Sequence, residues 1–504
     1  MRHVTTPPPL STTRRENRSF DHLLGHLKAQ DPRIDGLDGS QGNWVGKTFY
    51  PVNYNAVDGG PVDPCHSFDC ETIQIYGYEK PVGNKTAPSP MSGFGINTPG
   101  GVHNVPFVMS AFNSSDLPIL STLALEFAVF DHWHSSVPSC TNPNREFLLS
   151  ASSNGYLDNS FPAAGFPQKT HFRHLTERNI SWNIIYNDDP WMAPAFADLR
   201  TPAALANVLT MEHFYWQLGN GTLPAYTYIQ PRMATSAAGV SSWQHPDNSV
   251  SAGEQLISDV YTALRASSAW EESLLIITYD EHGGFADHVS PPGSSTPGVV
   301  PAPDATLASN GFDFTRLGVR IPTVAVSPLI PRNTVVSAPT PAQAPQATSW
   351  WDATSIISTA NRLLGADDAH LTARDAWAAH FEDILSLPAP RDTPATLPPV
   401  AHPLSAEGIA AEMAMHLNEH HLDSLNLLCG LARGGHPVCQ AFAGSRAAYL
   451  AGELAAWAPA RSWEYTPEQY PHLHFPAAQR LRQQHFGDIS ARLYARFKKA
   501  AGAA

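Results

Sequence analysis

The chain has 504 residues, 42% of them apolar and 15% charged, with a formal charge of −14, so it can fill a large core and offers no basic track for nucleic acid. No run approaches the roughly 18 to 20 apolar residues that cross a bilayer, and five cysteines, few and odd in number, argue against a disulfide framework. The length allows two to four domains, and one large α/β unit followed by a smaller C-terminal part is expected.

Met1 to Pro9 lacks the apolar centre of a signal peptide, so the chain as written is expected in the cytoplasm or at a membrane periphery. Thr5 to Arg15 carries three prolines and two arginines, which argues against a central strand there. Glu16-Asn-Arg-Ser-Phe-Asp-His22 follows. Its oxygen ligands suit a hard divalent cation and Arg18 suits phosphate, although alone it reads as the charged start of a helix. A strand at 127–130 leads into Pro138-Ser-Cys-Thr-Asn-Pro-Asn-Arg145. This segment offers Thr141 as a hydroxyl nucleophile, Asn144 as a donor and Arg145 as an anion clamp, or simply a Pro/Asn turn.

Further strands are expected at 180–186, 226–229 and 323–326. A capping box at Ser251-Ala-Gly-Glu254 opens a helix whose apolar face is Leu256, Ile257, Val260, Tyr261 and Leu264. It runs into the apolar strand Leu274-Leu-Ile-Ile-Thr278 and then Tyr279-Asp-Glu-His-Gly-Gly-Phe285, closed by Asp287-His288. Carboxylates and imidazoles there would emerge at the carboxyl end of a parallel strand, where ligands bind in open α/β sheets; the two glycines permit a tight turn or a close approach. A second helix through Ile356 and Leu363 stops at Gly365. The proline-rich stretch 388–403 reads as a linker, and 406–420, 445–457 and 476–499 are alanine-rich and helical in pattern. Cys429 and Cys439 flank a glycine-rich loop and would pair in an oxidising compartment, with two buried thiols as the plainer expectation.

Four of these segments, E-N-R-S-F-D-H at 16–22, T-x-P-N-R at 141–145, Y-D-E-H-G-G-F-x-D-H-V at 279–289 and Leu317-Gly-Val-Arg-Ile-Pro-Thr-Val-Ala-Val-Ser-Pro328, stand in the order found in the phosphoesterase family of non-specific phospholipases C and related acid phosphatases. The chain most resembles plant-type non-specific phospholipases C, over roughly residues 16 to 420, with support from Pro64-Cys-His-Ser-Phe68, Pro90-Met-Ser-Gly-Phe94 and Arg374-Asp-Ala-Trp377.

The resemblance implies an alkaline-phosphatase-like α/β/α sandwich with a mostly parallel sheet. It divides the chain into a catalytic domain at 1–387, a linker at 388–403 and a helical region at 404–504. Glu16, Asn17, Asp280 and Glu281 would hold a divalent metal ion of open identity or shape the phosphate site, with Thr141 as nucleophile. His66 and His245 would lie at the phosphate, His282 and His288 fall inside the strongest motif, and Asn144 and Arg145 would bind substrate. The reaction implied is cleavage of a glycerophospholipid such as phosphatidylcholine to diacylglycerol through a phosphothreonine, with peripheral contact to a membrane. An acid phosphatase of soluble monoesters and an impaired lipid-binding relative are the alternatives. Oligomeric state and head-group preference are open.

Three positions depart from the family pattern: Gln244 replaces an acid, Asn248 a histidine and Ala353 a histidine. The apolar strand that the resemblance places before Glu16 is also missing from the pattern, so either the first strand is absent, in which case a signal peptide would be lost with it and the protein secreted, or Glu16 and Asn17 are held differently. Loops at 161–166 and 190–196 are the expected apolar rim for a lipid, with packing as their alternative role. The arginines and lysines between Arg480 and Lys499 would form a basic patch or a solvated helix face.

Overall fold

The computed structural model describes residues 10–78, 88–96, 98–99, 101–415, 419–431 and 483–502. In chain order its strands are β1 (Leu10–Arg15), β2 (Gly42–Val45), β3 (Thr48–Pro51), β4 (Ala128–Phe130), β5 (Trp182–Tyr186), β6 (Val208–Thr210), β7 (Tyr226–Gln230), β8 (Leu274–Tyr279), β9 (Thr323–Val326) and β10 (Thr334–Val336). Eight of them form one sheet in the order β10-β4-β9-β8-β1-β7-β5-β6, while β2 and β3 make a separate antiparallel hairpin. Within the large sheet only β9 runs antiparallel to its neighbours β4 and β8. Such a sheet must be covered on both faces, which is why β8 reads as a continuous apolar run and buries all six residues. The helices Pro118–Glu126, Met211–Asn220 and Val250–Ala266 pack together, and Thr141–Ser150, His171–Thr176 and Thr354–Leu364 pack together, as two layers flanking the sheet.

The expectation of no central strand before Glu16 is corrected. β1 lies at the middle of the sheet, parallel to β7 on one side and β8 on the other. The prolines at 7–9 precede the strand and lie outside the described residues. The strand itself, Leu-Ser-Thr-Thr-Arg-Arg, satisfies the ladder through its backbone while burying polar side chains. Arg15 is fully buried and donates to the Ser242 carbonyl; burial lowers its pKa to about 10 against the opposing pull of Tyr279 and Glu254. A polar central strand carries no period-2 or all-apolar signal, so nothing in the sequence marked it.

The capping box is likewise displaced. The helix Val250–Ala266 is capped by Ser249, whose hydroxyl accepts from the Ala252 amide at 3.1 Å. Glu254 turns away and accepts from the Ile119 and Leu120 amides at 3.0 and 2.6 Å, satisfying orphan donors at the start of the neighbouring helix. Thr354–Leu364 ends at Gly365 with φ +68°, as its pattern predicted.

Among the described residues no helix is long and apolar enough to cross a membrane. The C-terminal region was expected as a helical appendage whose default role is packing; in its helices Glu419–Leu431 and Gln483–Ala500, Leu425, Leu428, Phe486, Leu493 and Phe497 join the same buried core as the sheet. The pattern at 445–457 lies outside the described residues. Cys65 and Cys70 form a disulfide that sequence arithmetic did not find, Cys429 is also disulfide-bonded, and Cys140 is free and buried.

Candidate active site

β1 and β8 are adjacent, parallel and in register, with Arg15 opposite Tyr279. Their carboxyl ends therefore deliver Glu16-Asn17 and Asp280-Glu281 side by side. The two segments are stitched together: the Asp280 amide donates to the Arg15 carbonyl at 3.2 Å, the Arg18 amide to the Glu281 carbonyl at 3.0 Å, and the Asn17 amide to Asp280 Oδ1 at 2.9 Å. Asn17 adopts the left-handed region at φ +53°, which asparagine tolerates better than most residues, and this turns its side chain into the site. Gly283, at φ +65°, passes so close to the Asn17 backbone that no Cβ fits.

Thr141 arrives from the other side as the first residue of the helix Thr141–Ser150. The loop that delivers it is pinned by Asn144, whose amide donates to the Val137, Ser139 and Cys140 carbonyls and whose oxygen accepts from the Val137 amide. All four of these bonds hold the loop backbone. The Thr141 hydroxyl lies 3.3 Å from both Glu16 Oε2 and Asn17 Oδ1. Arg145, one turn on, donates to Glu16 Oε1, to Asp280 Oδ2 at 3.4 Å and to the Tyr228 hydroxyl at 3.2 Å. Its guanidinium is buried and paired with the Glu16 and Asp280 carboxylates.

The four histidines divide. His66 Nδ1 lies 2.7 Å from the Pro64 carbonyl and its Nε2 accepts from the Asn17 amide group at 3.2 Å, an arrangement that puts the ring proton on Nδ1. The same Nε2 is 4.0 Å from Glu281 Oε1. The Cys65–Cys70 disulfide brackets His66. His245 hydrogen-bonds Asp247 through Nδ1 and places Nε2 3.6 Å from Asp63. Burial works against its charged form, but Asp247 and Asp63 outweigh burial and raise its pKa; Asp63 also lies 3.9 Å from His66 Nδ1, so it stands near both rings.

His282 and His288 point elsewhere. His282 Nε2 donates to Gln74 Oε1 at 2.8 Å, and burial, with the charge of His66, holds its pKa well below the usual value, so it backs Glu281 as a neutral ring. Glu71, 3.7 Å from its other nitrogen, is pushed up to about 8 by burial. His288 belongs to a second cluster with Asp21 at 2.7 Å, Asp35 at 3.2 Å and Arg320. Sequence proximity within one motif misled here, because the glycine turn at 283–284 sends the chain away from Thr141.

The departures from the family pattern have structural partners. Gln244, at φ +71°, accepts from the Tyr279 hydroxyl at 2.5 Å and donates to the Val250 carbonyl at 2.8 Å; Asn248 accepts from Trp243 Nε1 at 2.6 Å. Ala353 begins the helix beside Asp352, which binds Arg374 at 3.2 Å. Asp247 was missed although its spacing of two from His245 marks it as a partner. Of the two expectations for 161–166 and 190–196, the structure shows packing: Phe166, Trp191, Met192 and Phe196 are buried in the main core and Phe161 packs against it. Their proline flanks resembled exposed loops, but their large apolar side chains point inward.

The Thr141 hydroxyl thus lies among clustered carboxylates at the carboxyl ends of a mostly parallel sheet. The chain belongs to the Phosphoesterase family, whose profile matches residues 13–365, and is a hydrolase of phosphoric esters. It is 40% identical to Non-specific phospholipase C6 of Arabidopsis thaliana over 77% of this chain and 74% of that one. It is 37% identical to Non-specific phospholipase C1 of the same plant, over 84% of this chain and 78% of that protein. Phospholipase C A of Mycobacterium tuberculosis matches at 25% over 80% and 81% respectively. Among solved structures, an alkaline phosphatase superfamily protein from Vibrio parahaemolyticus overlays 50% of this chain and 61% of its own at 12% identity and a TM-score of 0.31, too distant to carry an argument.

Proposed function

We propose that this phosphoesterase is a phospholipase C that cleaves glycerophospholipids such as phosphatidylcholine to diacylglycerol and a phosphorylated head group. The observation that carries the reading is the Thr141 hydroxyl held between Glu16 and Asn17, beside His66. Thr141 Oγ passes its proton to Glu16 Oε2 as it attacks phosphorus, the bond from phosphorus to the glycerol oxygen breaks, and the chain is left phosphorylated on Thr141 until water displaces the threonine oxygen and Glu16 returns the proton to it. Glu16 and Asn17 orient the attacking hydroxyl. His245, whose protonated form Asp247 and Asp63 favour against burial, donates to the departing glycerol oxygen, then recovers a proton from the water that hydrolyses the phosphothreonine.

Glu16, Asn17, Asp280 and Glu281 are hard oxygen donors that suit a divalent cation. The fit is supported by charge. Arg145 pairs with Glu16 and Asp280, while among the described residues Glu281 has no guanidinium partner and its buried Oε1 has no hydrogen-bond partner. Burial, reinforced by the neighbouring Asp280 charge, pushes the Glu281 carboxyl well above its ordinary range, a penalty a cation would relieve. Such an ion would stabilise the charge of the phosphoryl oxygens. Asp21, Asp287 and His288 also bring ligand atoms within 4.8 Å of one another, but there Arg320 spans both carboxylates at 2.9 Å, so that cluster carries its own cation. The disulfides favour an oxidising compartment over the cytoplasm.

The test is hydrolysis of phosphatidylcholine and of p-nitrophenyl phosphate by the purified chain and by Thr141→Ala. Diacylglycerol release that disappears in the variant is expected; release on the soluble ester alone would replace the reading with an acid phosphatase.

A further inference from the structure

The β2–β3 hairpin is built inside out. Trp44 and Phe49 stand directly opposite each other across its strands, with ring centroids 5.3 Å apart, and both are open to solvent, at 62% and 41% exposure. On the inner face, Asn43 donates to the Met91 carbonyl at 3.0 Å and accepts from the Phe94 amide at 2.9 Å, while Val45 and Tyr50 pack against a cluster that includes Met91 and Phe94. A two-stranded hairpin lying on a protein normally keeps its polar side outward; here an aromatic cross-strand pair takes that side.

The surroundings extend the pattern. Of the ten large hydrophobic residues exposed among the described residues, seven fall between positions 44 and 102, including Tyr54, Val57, Ile96 and Val102. The sixteen residues from Gly42 to Val57 contain one charged side chain, the exposed Lys47 near the hairpin turn, in a chain whose formal charge is −14. Aromatic rings with a lysine and no carboxylate suit the head-group layer of a bilayer, where rings sit at the polar boundary and an ammonium meets phosphate. The hairpin is also tied to the site: Phe94, held by Asn43, lies 6.1 Å in ring centroids from His282, next to Glu281.

We propose that this hairpin docks the chain on the surface of a zwitterionic phospholipid bilayer, bringing the site to its substrate. A single lysine gives no need for anionic lipid, so phosphatidylcholine is the surface it fits. The proposal rests on the phospholipid reading above, and its test separates the two.

The full chain and Trp44→Ser/Phe49→Ser are sedimented with phosphatidylcholine vesicles, and both are assayed on those vesicles and on a monodisperse short-chain phosphatidylcholine. The variant is expected to bind vesicles at least about tenfold more weakly, the effect of withdrawing one well-buried ring, and to lose vesicle hydrolysis in proportion while keeping its rate on the monodisperse lipid. Tyr215→Ser/Trp216→Ser, which removes exposed aromatics outside the hairpin, is expected to leave binding unchanged. A polarity-sensitive fluorophore on Trp44→Cys, which spares the rest of the hairpin, is expected to shift to the blue when vesicles are added. Unchanged vesicle binding by the double variant, an equal loss in the Tyr215/Trp216 control, or no fluorophore shift would each overturn the proposal. So would a loss of self-association in the double variant without a change in vesicle binding, which would make the face a contact between copies. Loss of the monodisperse rate alone would make the hairpin part of the site's framework, again overturning it. If the wild type hydrolyses neither lipid yet still docks through the hairpin, the phospholipase reading fails and the docking surface stands.

Discussion

Gly283→Ala tests whether the site depends on the close passage of the 280–288 loop over Asn17. The substitution has two separable costs. Holding alanine at φ +65° costs about 1–2 kcal/mol wherever it occurs. The second cost is local: a Cβ at position 283 would lie 2.8 Å from Asn17 Cα, with the Asn17 carbonyl nearer still. Restoring ordinary contact at 3.4 Å moves that backbone by at least 0.6 Å. The Asn17 side chain meets Thr141 at 3.3 Å, already at the long end of a hydrogen bond, so a shift of that size breaks the contact. Misplacement of about 1 Å near reacting groups lowers rates on the order of 100-fold. Gly298→Ala is the control, because its φ is +78° and nothing lies within 4 Å of the place a Cβ would take, so it carries the backbone cost alone. Diacylglycerol release and melting temperature are measured for both. The expectation is a similar modest loss of stability from the backbone term, a further loss in Gly283→Ala, and an activity loss confined to Gly283→Ala. Activity within about threefold of the parent in Gly283→Ala would refute the reasoning.

Asp247→Asn removes the nearest charge that raises the His245 pKa against burial, so the alkaline limb of kcat/KM is expected to move to lower pH, with neutral-pH activity down by up to about 100-fold. Dialysis against a chelator is expected to abolish hydrolysis, and Glu281→Gln to lower the bound metal measured by elemental analysis as well as the rate; a fully active, metal-free chain would contradict the donor set. His288 titrates near 10 in the folded chain because Asp21 and Asp35 outweigh its burial, against about 6.5 unfolded. Its folded pKa is the higher one, so its stabilisation is full below about 6.5 and fades as pH rises through 10. Denaturant midpoints at pH 7 and pH 10 are expected to differ less in His288→Gln than in the parent.

How much of this was legible follows from what each residue does for the backbone. β8 and its motif were readable because a strand buried on both faces must be apolar throughout and must release its functional groups at its end. β1 was not, because the sheet position is filled by Ser11, Thr12 and Arg15, polar side chains whose burial only the folded neighbours permit. Ser11 Oγ, Thr12 Oγ1 and two Arg15 nitrogens find no partner there, so the segment looks from sequence like a surface arm. Glu16, Asn17, Thr141, Asp280 and Glu281 were found as sequence neighbours of turns, and the structure brings them together. Asn144, Arg145, His282 and His288 come from the same motifs but serve the loop, the carboxylates or a second charge cluster. A motif records which residues share a segment; which way each side chain faces depends on tertiary partners, here Val137, Glu16, Gln74 and Asp21.

The C-terminal helices bear on the proposed acid as well as on the core. Trp243 lies between two imidazoles, stacked on His245 at 4.7 Å between centroids and meeting His421 of the helix Glu419–Leu431 at 5.0 Å. Glu412 from the preceding helix accepts the Ser249 amide at 3.0 Å, fixing the far end of the same loop. Burial lowers the His421 pKa to about 4, so at neutral pH it is an uncharged ring. That difference matters, because the face of Trp243 attracts a cation on His245 while the neutral ring behind it adds contact without a competing charge. Asp247 and Asp63 supply the remaining bias toward the protonated form. The indole therefore serves both parts of the chain at once: it packs the helical region onto the sheet domain and holds the imidazole proposed to protonate the leaving glycerol oxygen.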